Sequence, residues 1–554
     1  MIRRSDAQEP EGLRWLLPFL ALFFLVYLCN LDSLRFILDD WCQVPRLAAL
    51  LRGEGRGWRE IVDGRWLGNP RIFFLTWLLQ ASFARVWGLT SAAPYFLFIL
   101  SAHLLSCALL YRLLRRTALG ERAARFAGLA ALLTPTSAND LFWINAWFFV
   151  LPVTLGLLLA WLYAHPLERP GPDLACLSGL ALATQFAGEQ TIPVLYAALG
   201  LAALRAARRR TEDGGRPLAR ALVPVCLCAP ALAFYYLRCV RPLEPAAFPF
   251  DPAAGLGGAR DFLLRHFGHF WPWSQALGGG SVAPSAGTWL QAAAAAACVL
   301  RLAARDPRED GETARPPLWP VALGAAAAVL LVALPVAYGM ARHLRTAVED
   351  RYLYPSGLAL CVLAAAGLEA LERRSRGAPW RRAAAAAPAA LLIALSALML
   401  YDLRDVWGVQ RRVDERLWHV IDSQFEPRFR FFITDGLQEA ALVPKRSNAV
   451  SDFDDDFGVA CRLRATHPGA SARIVRRYQP EYDLGDAMYL ADYRLDVLRA
   501  RKSESFAIVH RYGKTHADLL ASKAQAFSDF QAYQRLRDAE PFAFPPSWKA
   551  PGDK

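Results

Sequence analysis

The sequence contains few charged residues, and this lack excludes an ordinary soluble protein. Only 20% of its 554 residues are Asp, Glu, Lys or Arg, whereas 55% are hydrophobic. The mean hydropathy is +0.19, which is high for a soluble chain of this length. The composition therefore predicts a polytopic membrane protein with a more polar C-terminal tail.

Lysine is also scarce, so nearly all of the 63 basic residues are arginine. Together with the abundance of alanine, this bias is typical of a GC-rich bacterial genome. In a soluble domain a net charge of +13 would suggest a nucleic-acid partner. Here the arginines gather in short loops between apolar runs, which is the pattern of a membrane topology signal. We therefore expect no nucleic-acid binding.

The 10 cysteines form no CxxC pair and no Cys/His spacing of a zinc site. Seven of them lie in or beside apolar runs and are expected to be packing residues. Cys42, Cys239 and Cys461 lie outside these runs and allow a disulfide, but the sequence does not determine a pairing. No cleavage site follows the first apolar run, Leu13 to Leu31, so this run is expected to stay as an anchor.

About eleven apolar runs approach the ~20 residues that cross about 30 Å of hydrocarbon. They lie near residues 13–31, 93–114, 126–136, 143–163, 174–187, 191–204, 219–237, 287–304, 318–340, 353–371 and 384–401. Most loop arginines lie in four connectors, Arg112 to Arg125, Arg205 to Arg220, Arg301 to Arg315 and Arg373 to Arg382. The positive-inside rule places these connectors and the N-terminus in the cytoplasm. If the run Ile72 to Leu89 crossed the membrane, every later loop would change sides. This run is therefore expected to lie in the membrane interface rather than to cross the membrane.

We predict two domains: an all-α transmembrane domain over residues 1–402 and a small extracytoplasmic α/β domain over residues 403–554. The first domain has an outer loop at 32–92 and a second, rich in aromatic residues, at 241–285. The tail contains a helix-like stretch, Val406 to Asp422, and three strand-like runs, Phe429 to Thr434, Arg473 to Tyr478 and Phe506 to Arg511. Its acidic run at 452–456 lacks the glycine and the spacing of an EF-hand and predicts a solvated turn.

Two adjacent carboxylates, Asp39 and Asp40, follow the first apolar run within the stretch Arg35 to Trp41. Carboxylates at the mouth of a membrane segment need a partner, a water-filled cavity or a function. We consider them the candidate catalytic centre. The alternative is a helix cap for the amphipathic stretch Trp41 to Leu51.

Further polar residues lie at the predicted outer ends of other spans. They are His103, Asn139, Asp140, Glu189, His343, Arg345, Arg351 and Tyr352. Each has a structural alternative: His103 would also satisfy a helix carbonyl, and Glu189 would also cap the segment after it. The acids after the first span and the acid and arginine cluster before a late span are predicted to face the same side.

This order of residues resembles the GT-C integral-membrane glycosyltransferases, especially the branch of the protein O-mannosyltransferases and the lipid A aminoarabinose transferases. The resemblance covers about Leu13 to Leu371. It rests first on the acid pair after the first span, Asp39 and Asp40, and on a histidine in the following span, His103. It continues with a proline-containing turn that leads to an aromatic span, Pro135 to Trp147, and with a glutamate early in a later span, Glu189. It ends with an Arg-Tyr-Leu-Tyr-Pro-Ser segment that opens a late span, Arg351 to Ser356. The sequence departs from the family at Gly188, where a lysine often precedes the glutamate, and the resemblance does not extend to the tail.

The resemblance implies transfer of a sugar from a polyprenyl-phosphate carrier to a glycan, lipid or protein acceptor on the outer face of a bacterial cytoplasmic membrane, with inversion. Asp39 is the expected base, and Asp40 is expected to orient the acceptor or Asp39. Arg351 is the expected partner of the leaving phosphate, with His343 and Arg345 as second choices. The remaining polar residues are expected to orient the substrate: Glu189, His103, Asn139, Asp140 and Tyr352.

No cofactor is expected, although two carboxylates would also suit a divalent cation. The alternative of another class is a transporter or flippase of polyprenyl-linked glycans, in which the same charges line a path. Transporters commonly place charges near the midplane and contain internal repeats, whereas here the acids lie at segment ends and no repeat is evident. A scaffold that displays the tail would leave the acid pair unexplained.

Overall fold

In the computed structural model, the described residues divide into two compact units. The first comprises residues 1–34 and 47–402, and the second comprises residues 35–46 and 403–554. The described residues are 13–28, 34–36, 40–55, 57–63, 72–134, 141–208, 216–241, 250–269, 316–342, 350–374, most of 387–400, then 418, 422, 431–434, 456–467, 473–475, 487–497 and 502–511. The segment 35–46, which the sequence suggested to be part of the transmembrane domain, thus groups with the tail.

The first unit is helical. Its helices are α1 (Leu17–Val26), the end of α2 (Asp40–Leu51), α3 (Trp58–Asp63), α4 (Phe74–Trp87), α5 (Ala93–Leu114), α6 (Glu121–Leu132), α7 (Trp147–Ala164), α8 (Pro170–Ala187), α9 (Ile192–Arg208), α10 (Arg216–Tyr235), α11 (Pro252–His269), α12 (Trp319–Ala341) and α13 (Tyr354–Arg374). Among the described residues, six helices are long and apolar enough to cross a membrane: Ala93–Leu114, Trp147–Ala164, Glu189–Ala207, Arg216–Cys239, Trp319–Ala341 and Tyr354–Arg373. The protein is therefore a polytopic helical membrane protein.

Most predicted spans coincide with these helices. Two do not permit a comparison along their length, since 287–304 lies outside the described residues and 384–401 is described only in part. Helix α6 begins at Glu121, five residues before the predicted start of its span, and ends at Leu132. A carboxylate in the first turn favours this earlier start because it interacts with the positive end of the helix dipole.

Helix α4 lies across one end of the bundle, which we call the glutamate end because it also carries Glu189. The 14 residues of α4 rise about 21 Å, too little to cross about 30 Å of hydrocarbon. The Thr76 hydroxyl donates to the Ala187 carbonyl at 2.7 Å, and the Gln80 amide donates to the Ile144 carbonyl at 2.9 Å. Further along, Phe83 packs against the first residue of α7 at 5.2 Å between ring centroids. The contacts of α4 thus follow the terminal turns of two other helices, as expected for an interfacial segment.

The opposite end of the bundle, which we call the arginine end, carries the described parts of three arginine-rich connectors. On α13, Glu369 and Arg373 form an almost fully buried ion pair at 2.9 Å. The Gly120 N–H donates to Glu369 at 2.9 Å, and Arg373 donates to the carbonyls of Ala118 at 2.7 Å and Pro316 at 3.1 Å. These bonds offset the cost of burying the two charges. They bring together the loop between α5 and α6, the start of α12 and the end of α13.

The connector that leads into α10 reaches the same end of the bundle through the last turn of α7. Arg220 pairs with the fully buried Asp173 at 2.6 Å and donates to the Leu162 carbonyl at 2.8 Å. Arg116, from the connector after α5, donates to the Ala164 carbonyl at 3.3 Å. The described parts of three connectors, 112–125, 216–220 and 373–374, therefore meet at one end of the first unit. Loops that share one side of a membrane are expected to meet in this way.

Helix α11 forms within the stretch 241–285 that the sequence suggested to be an aromatic loop. The Asp251 carboxylate accepts hydrogen bonds from the N–H groups of the second and third residues of α11, at 2.9 and 3.1 Å, and so caps the helix. The Asp251 N–H donates to the Ala341 carbonyl of α12 at 2.8 Å. A Cβ at Gly258 would lie 2.5 Å from the Met340 side chain, so glycine allows the close approach of the two helices. The Asp251 cap, followed by Pro252 at the first helical position, is the local signal for the start of this helix.

The tail contains a four-stranded mixed sheet of order β2-β1-β3-β4. The strands are β1 (Phe431–Thr434), β2 (Arg473–Val475), β3 (Ala487–Val497) and β4 (Lys502–Arg511), and helix α14 (Asp456–Thr466) lies between β1 and β2 in the chain. Strand β1 pairs in parallel with β2 and β3, whereas β3 and β4 form an antiparallel hairpin. Three strands fall on the predicted runs. Strand β3 was missed, although its second half alternates apolar and charged residues as a half-exposed strand does.

Candidate active site

The acid-bearing segment belongs to the second unit. Asp40 is the first residue of α2 and is only 1% exposed, whereas Asp39 lies outside the described residues. A carboxylate in the first turn of a helix interacts favourably with the positive end of the helix dipole. Phe36 is buried and packs edge-on against Trp41 at 5.8 Å. The segment thus combines a buried acid with a packed pair of aromatic side chains.

A disulfide attaches this segment to the tail. It joins Cys42 of α2 to Cys461 of α14, 419 residues further along the chain. Cys239, the third candidate, is buried and takes no part in this disulfide. The sequence therefore contained both partners but gave no reason to choose them over the third cysteine.

Next to the disulfide, an arginine is stacked between two indole rings. The guanidinium carbon of Arg462 lies 4.6 Å from the ring centroid of Trp41 and 4.6 Å from that of Trp418. Trp418 is fully buried. Cation–π contacts of this kind are strongest when the cation is removed from water. Arg462 and Trp418 were not singled out from the sequence, because the stacking requires the fold.

His103 is a fully buried residue of α5 with both ring nitrogens engaged. Its Nδ1 lies 2.9 Å from the Tyr354 hydroxyl, and its Nε2 lies 3.2 Å from the Leu132 carbonyl. The Tyr27 hydroxyl donates to the same carbonyl at 2.6 Å. His103 therefore joins α5 to the end of α6 and the start of α13, which matches the structural alternative considered for it.

Glu189 lies in a 3-10 turn, Glu189–Thr191, that follows α8 at the glutamate end. The preceding residue, Gly188, has no room for a side chain, because a Cβ there would collide with the Phe148 carbonyl and the Pro152 ring. A lysine side chain would therefore not fit at this position in this structure. Glu189 itself is half-buried.

The same turn contains a residue that the sequence analysis did not single out. Gln190 is 2% exposed, and neither its Nε2 nor its Oε1 has a hydrogen-bond partner among the described residues. An unpaired buried amide is costly and calls for an explanation. The only sequence signal was its position directly after Glu189.

Tyr352 lies in a second 3-10 turn, Asp350–Leu353, directly before α13. It is 3% exposed, and its ring packs edge-on against Phe149 at 5.5 Å. Phe149 follows Phe148, whose carbonyl faces Gly188. The first turn of α7 therefore contacts both the turn with Glu189 and the turn with Tyr352, and the structure brings these two candidates to one end of the first unit.

The other candidates are described only partly or not at all. Arg351 lies in the same turn as Tyr352, but only its backbone is described. Four candidates lie outside the described residues: Asn139, Asp140, His343 and Arg345. Across the described part of the chain, no three His, Cys, Asp or Glu side chains are grouped as metal ligands.

No protein-family model and no curated protein matches the chain. Two solved structures are similar to it, both of ArnT from Cupriavidus metallidurans, one bound to undecaprenyl phosphate and one in the apo state. The identity is 16% in each case, and the TM-scores are 0.43 and 0.42. The similarity covers 90% and 89% of this chain and 98% of each solved chain.

Proposed function

We propose that this protein is a glycosyltransferase that moves a sugar from a polyprenyl-phosphate donor to an acceptor on the outer face of the membrane, with inversion. The carrying observation is the buried Asp40 on a segment that a disulfide attaches to the tail. Disulfides form in oxidising compartments, so the acids and the tail are extracytoplasmic in this proposal. The arginine connectors then lie in the cytoplasm.

In the proposed reaction, a hydroxyl of the acceptor attacks the anomeric carbon of the sugar. Asp39 takes the hydroxyl proton as the new C–O bond forms, and the bond from the anomeric carbon to the phosphate oxygen breaks. The electron pair of that bond leaves with the polyprenyl phosphate. Asp40 orients the acceptor or Asp39, and its burial and fixed helix position support this role.

The leaving phosphate gains negative charge in a low-dielectric site and needs a fixed cation. We propose Arg351 for this role, because a guanidinium binds phosphate through two hydrogen bonds. Its place in the turn before α13 supports the assignment, because the neighbouring Tyr352 is buried and fixes that turn. His343 and Arg345 remain the second choices.

Glu189 and Tyr352 are proposed to orient the substrate, and so are Asn139 and Asp140. His103, with both ring nitrogens bonded inside the protein, would act by holding helices in place rather than by touching the sugar. The proposed partners are the donor lipid and a glycan, lipid or protein acceptor. The proposed location is a bacterial cytoplasmic membrane, with the N-terminus in the cytoplasm. The proposed reaction requires no cofactor, and addition of EDTA to the assay tests the role of a divalent cation.

The test is a single-turnover assay of the purified protein in detergent with polyprenyl-phosphate donors that carry a labelled sugar. A glycosyltransferase releases polyprenyl phosphate and transfers the label to the acceptor. In liposomes, a transporter or flippase would instead move the intact donor between leaflets. Movement of the intact lipid without release of polyprenyl phosphate would overturn the proposal.

A further inference from the structure

We infer that the tail is part of the catalytic machinery, because it holds the acid-bearing segment 35–46 in position through Arg462 and the disulfide Cys42–Cys461. The inference rests on the proposed function for its catalytic consequence. Its structural part, the immobilisation of the segment, is independent of which reaction the protein performs.

Buried residues and links to the tail lie close together at the start of α2. Within four consecutive residues of α2, Asp40 is buried, Trp41 stacks on Arg462, Cys42 forms the disulfide and Gln43 is buried. The two links, from Trp41 to Arg462 and from Cys42 to Cys461, both end on α14 of the tail. A segment that follows a membrane span would otherwise be an exposed loop, free to move on fast timescales.

The disulfide Cys42–Cys461 and the stacked Arg462 restrain different motions of the segment. A disulfide fixes the distance between two backbone positions but leaves the side chains around it free to rotate. The guanidinium of Arg462, between the rings of Trp41 and Trp418 at 4.6 Å each, fixes the orientation of the indole next to Asp40. Since Trp418 is fully buried, the stack has a rigid base in the tail.

Catalysis by a general base requires that the base be held in a fixed position. A general base acts only within hydrogen-bond reach of the proton that it removes. A displacement of about 1 Å costs up to about 100-fold in rate. Arg462 is therefore a positioning residue: it acts through Trp41 on the acids and does not touch the substrate.

The first test changes Arg462 and follows both motion and transfer. Arg462→Met keeps the length of the side chain and removes the charge, whereas Arg462→Lys keeps a cation without the planar group. We expect faster hydrogen–deuterium exchange in segment 35–46 for Arg462→Met, with unchanged exchange in α5. We also expect turnover to fall about 10- to 100-fold with an unchanged Michaelis constant for the donor, and an intermediate loss in Arg462→Lys. The control is Arg260→Met, at an exposed arginine of α11, which should change neither quantity.

The second test is a double-mutant cycle with Asp40→Asn. If Arg462 acts through the acid segment, Arg462→Met should cause a much smaller further loss in the Asp40→Asn background than in the wild type. A purely structural role would instead give independent, multiplicative losses in turnover.

The third test opens the disulfide. Cys42→Ser, Cys461→Ser and the double variant should all show one and the same loss of turnover and one and the same faster exchange in segment 35–46. The three agree because each change removes the same disulfide bond. Cys176→Ser, at an exposed free cysteine of α8, is the control for the substitution itself and should behave as wild type.

The outcomes separate the two proposals. Unchanged exchange in segment 35–46 of Arg462→Met and of Cys42→Ser overturns the inference, whatever the activity. Faster exchange with wild-type turnover also overturns it, because the acids would then not need to be held. Absence of transfer in the wild-type protein with every donor tested sinks the proposed function, while the exchange measurements still decide whether the tail restrains the segment.

Discussion

Gly188 lies against the carbonyl oxygen of Phe148 so closely that a Cβ has no room. The contact joins the turn that carries Glu189 to the first turn of α7, which also packs against Tyr352. The backbone dihedral φ of Gly188 is −175°, an extended value open to any residue, so sterics alone require glycine here. A lysine, common at this position in the family that the sequence resembles, would force the turn away from α7.

We expect Gly188→Ala to lower stability by about 1–3 kcal/mol, the usual cost of overpacking, and to lower transfer because it displaces Glu189. Gly179→Ala is the matched control, since Gly179 lies in the middle of α8 with nothing within 4 Å of its added Cβ. The control should gain about 0.5–1 kcal/mol from the better helix propensity of alanine. Thermal denaturation in detergent measures both changes, and equal melting temperatures for the two variants would contradict the close contact.

The unpaired amide of Gln190 gives a prediction in which stability and function move in opposite directions. Gln190→Met keeps the volume and removes a buried group without a partner, so the protein should become more stable by about 1–3 kcal/mol. If the amide binds the substrate, the same variant should show a higher Michaelis constant or a lower turnover. Greater stability with normal kinetics would remove Gln190 from the site.

The control for Gln190 is another buried glutamine with both ends paired. Gln185 donates to the Cys228 carbonyl at 3.2 Å and accepts from the Tyr196 hydroxyl at 2.7 Å. Gln185→Met should therefore lose stability, because it leaves those groups unpaired, and should not change the Michaelis constant. A gain in stability for both variants would show that buried amides are simply unfavourable in this bundle.

The topology is testable by labelling of introduced cysteines with an impermeant maleimide in intact cells. A cysteine at any position from Thr211 to Gly215 should react only after the membrane is opened, because the connector is predicted to be cytoplasmic. A cysteine at Ser505 should react in intact cells. Protection of Ser505 would contradict the extracytoplasmic tail and with it the proposed site.

The sequence predicted the helices well because apolar length is a local property. The runs at 93–114 and 318–340 became helices Ala93–Leu114 and Trp319–Ala341 almost residue for residue. Helix α11 was missed because the aromatic residues around it suggested a loop, although Asp251 before Pro252 is a local start signal. The fit of Gly258 against Met340, in contrast, exists only once the two helices are paired, so no window of sequence contains it.

The candidate site was predicted less completely for the same reason. Glu189 and Tyr352 were identified from local motifs, and the structure brings their turns to α7. The link from Trp41 to Arg462 joins residues more than 400 positions apart, and the sequence named neither the stack nor the disulfide beside it. Tertiary contacts of this kind depend on the whole chain and are not encoded in any one segment.

Arg351 should bind the leaving phosphate, and its substitution separates charge from geometry. Arg351→Lys keeps the positive charge but loses the planar fork, so we expect turnover to fall while the protein still inserts and accumulates. Arg351→Ala should lower it further. Arg260→Lys, at an exposed position, is the control. Equal activity of Arg351→Ala and wild type would exclude the phosphate role and direct attention to His343 and Arg345.

The two adjacent acids should differ in their effect on turnover. Neighbouring residues on a helix or strand do not point the same way, so only one carboxylate of the pair reaches the acceptor hydroxyl. Asp40 is the first residue of α2 and is buried, which suits an orienting role. Asp39 lies outside the described residues and stays the proposed base, as the family resemblance implies.

Loss of a general base commonly lowers the rate by about 10²- to 10⁴-fold. Asparagine is nearly isosteric with aspartate but does not take the proton. Asp39→Asn should abolish measurable transfer while the protein still binds the donor lipid, whereas Asp40→Asn should retain a reduced but detectable rate. Single-turnover transfer at matched expression, with donor binding measured in parallel, tests the difference. Near-normal turnover in Asp39→Asn would disprove the assignment of the base, and near-normal turnover in both variants would leave the pair with only the helix-capping role that the position of Asp40 already allows.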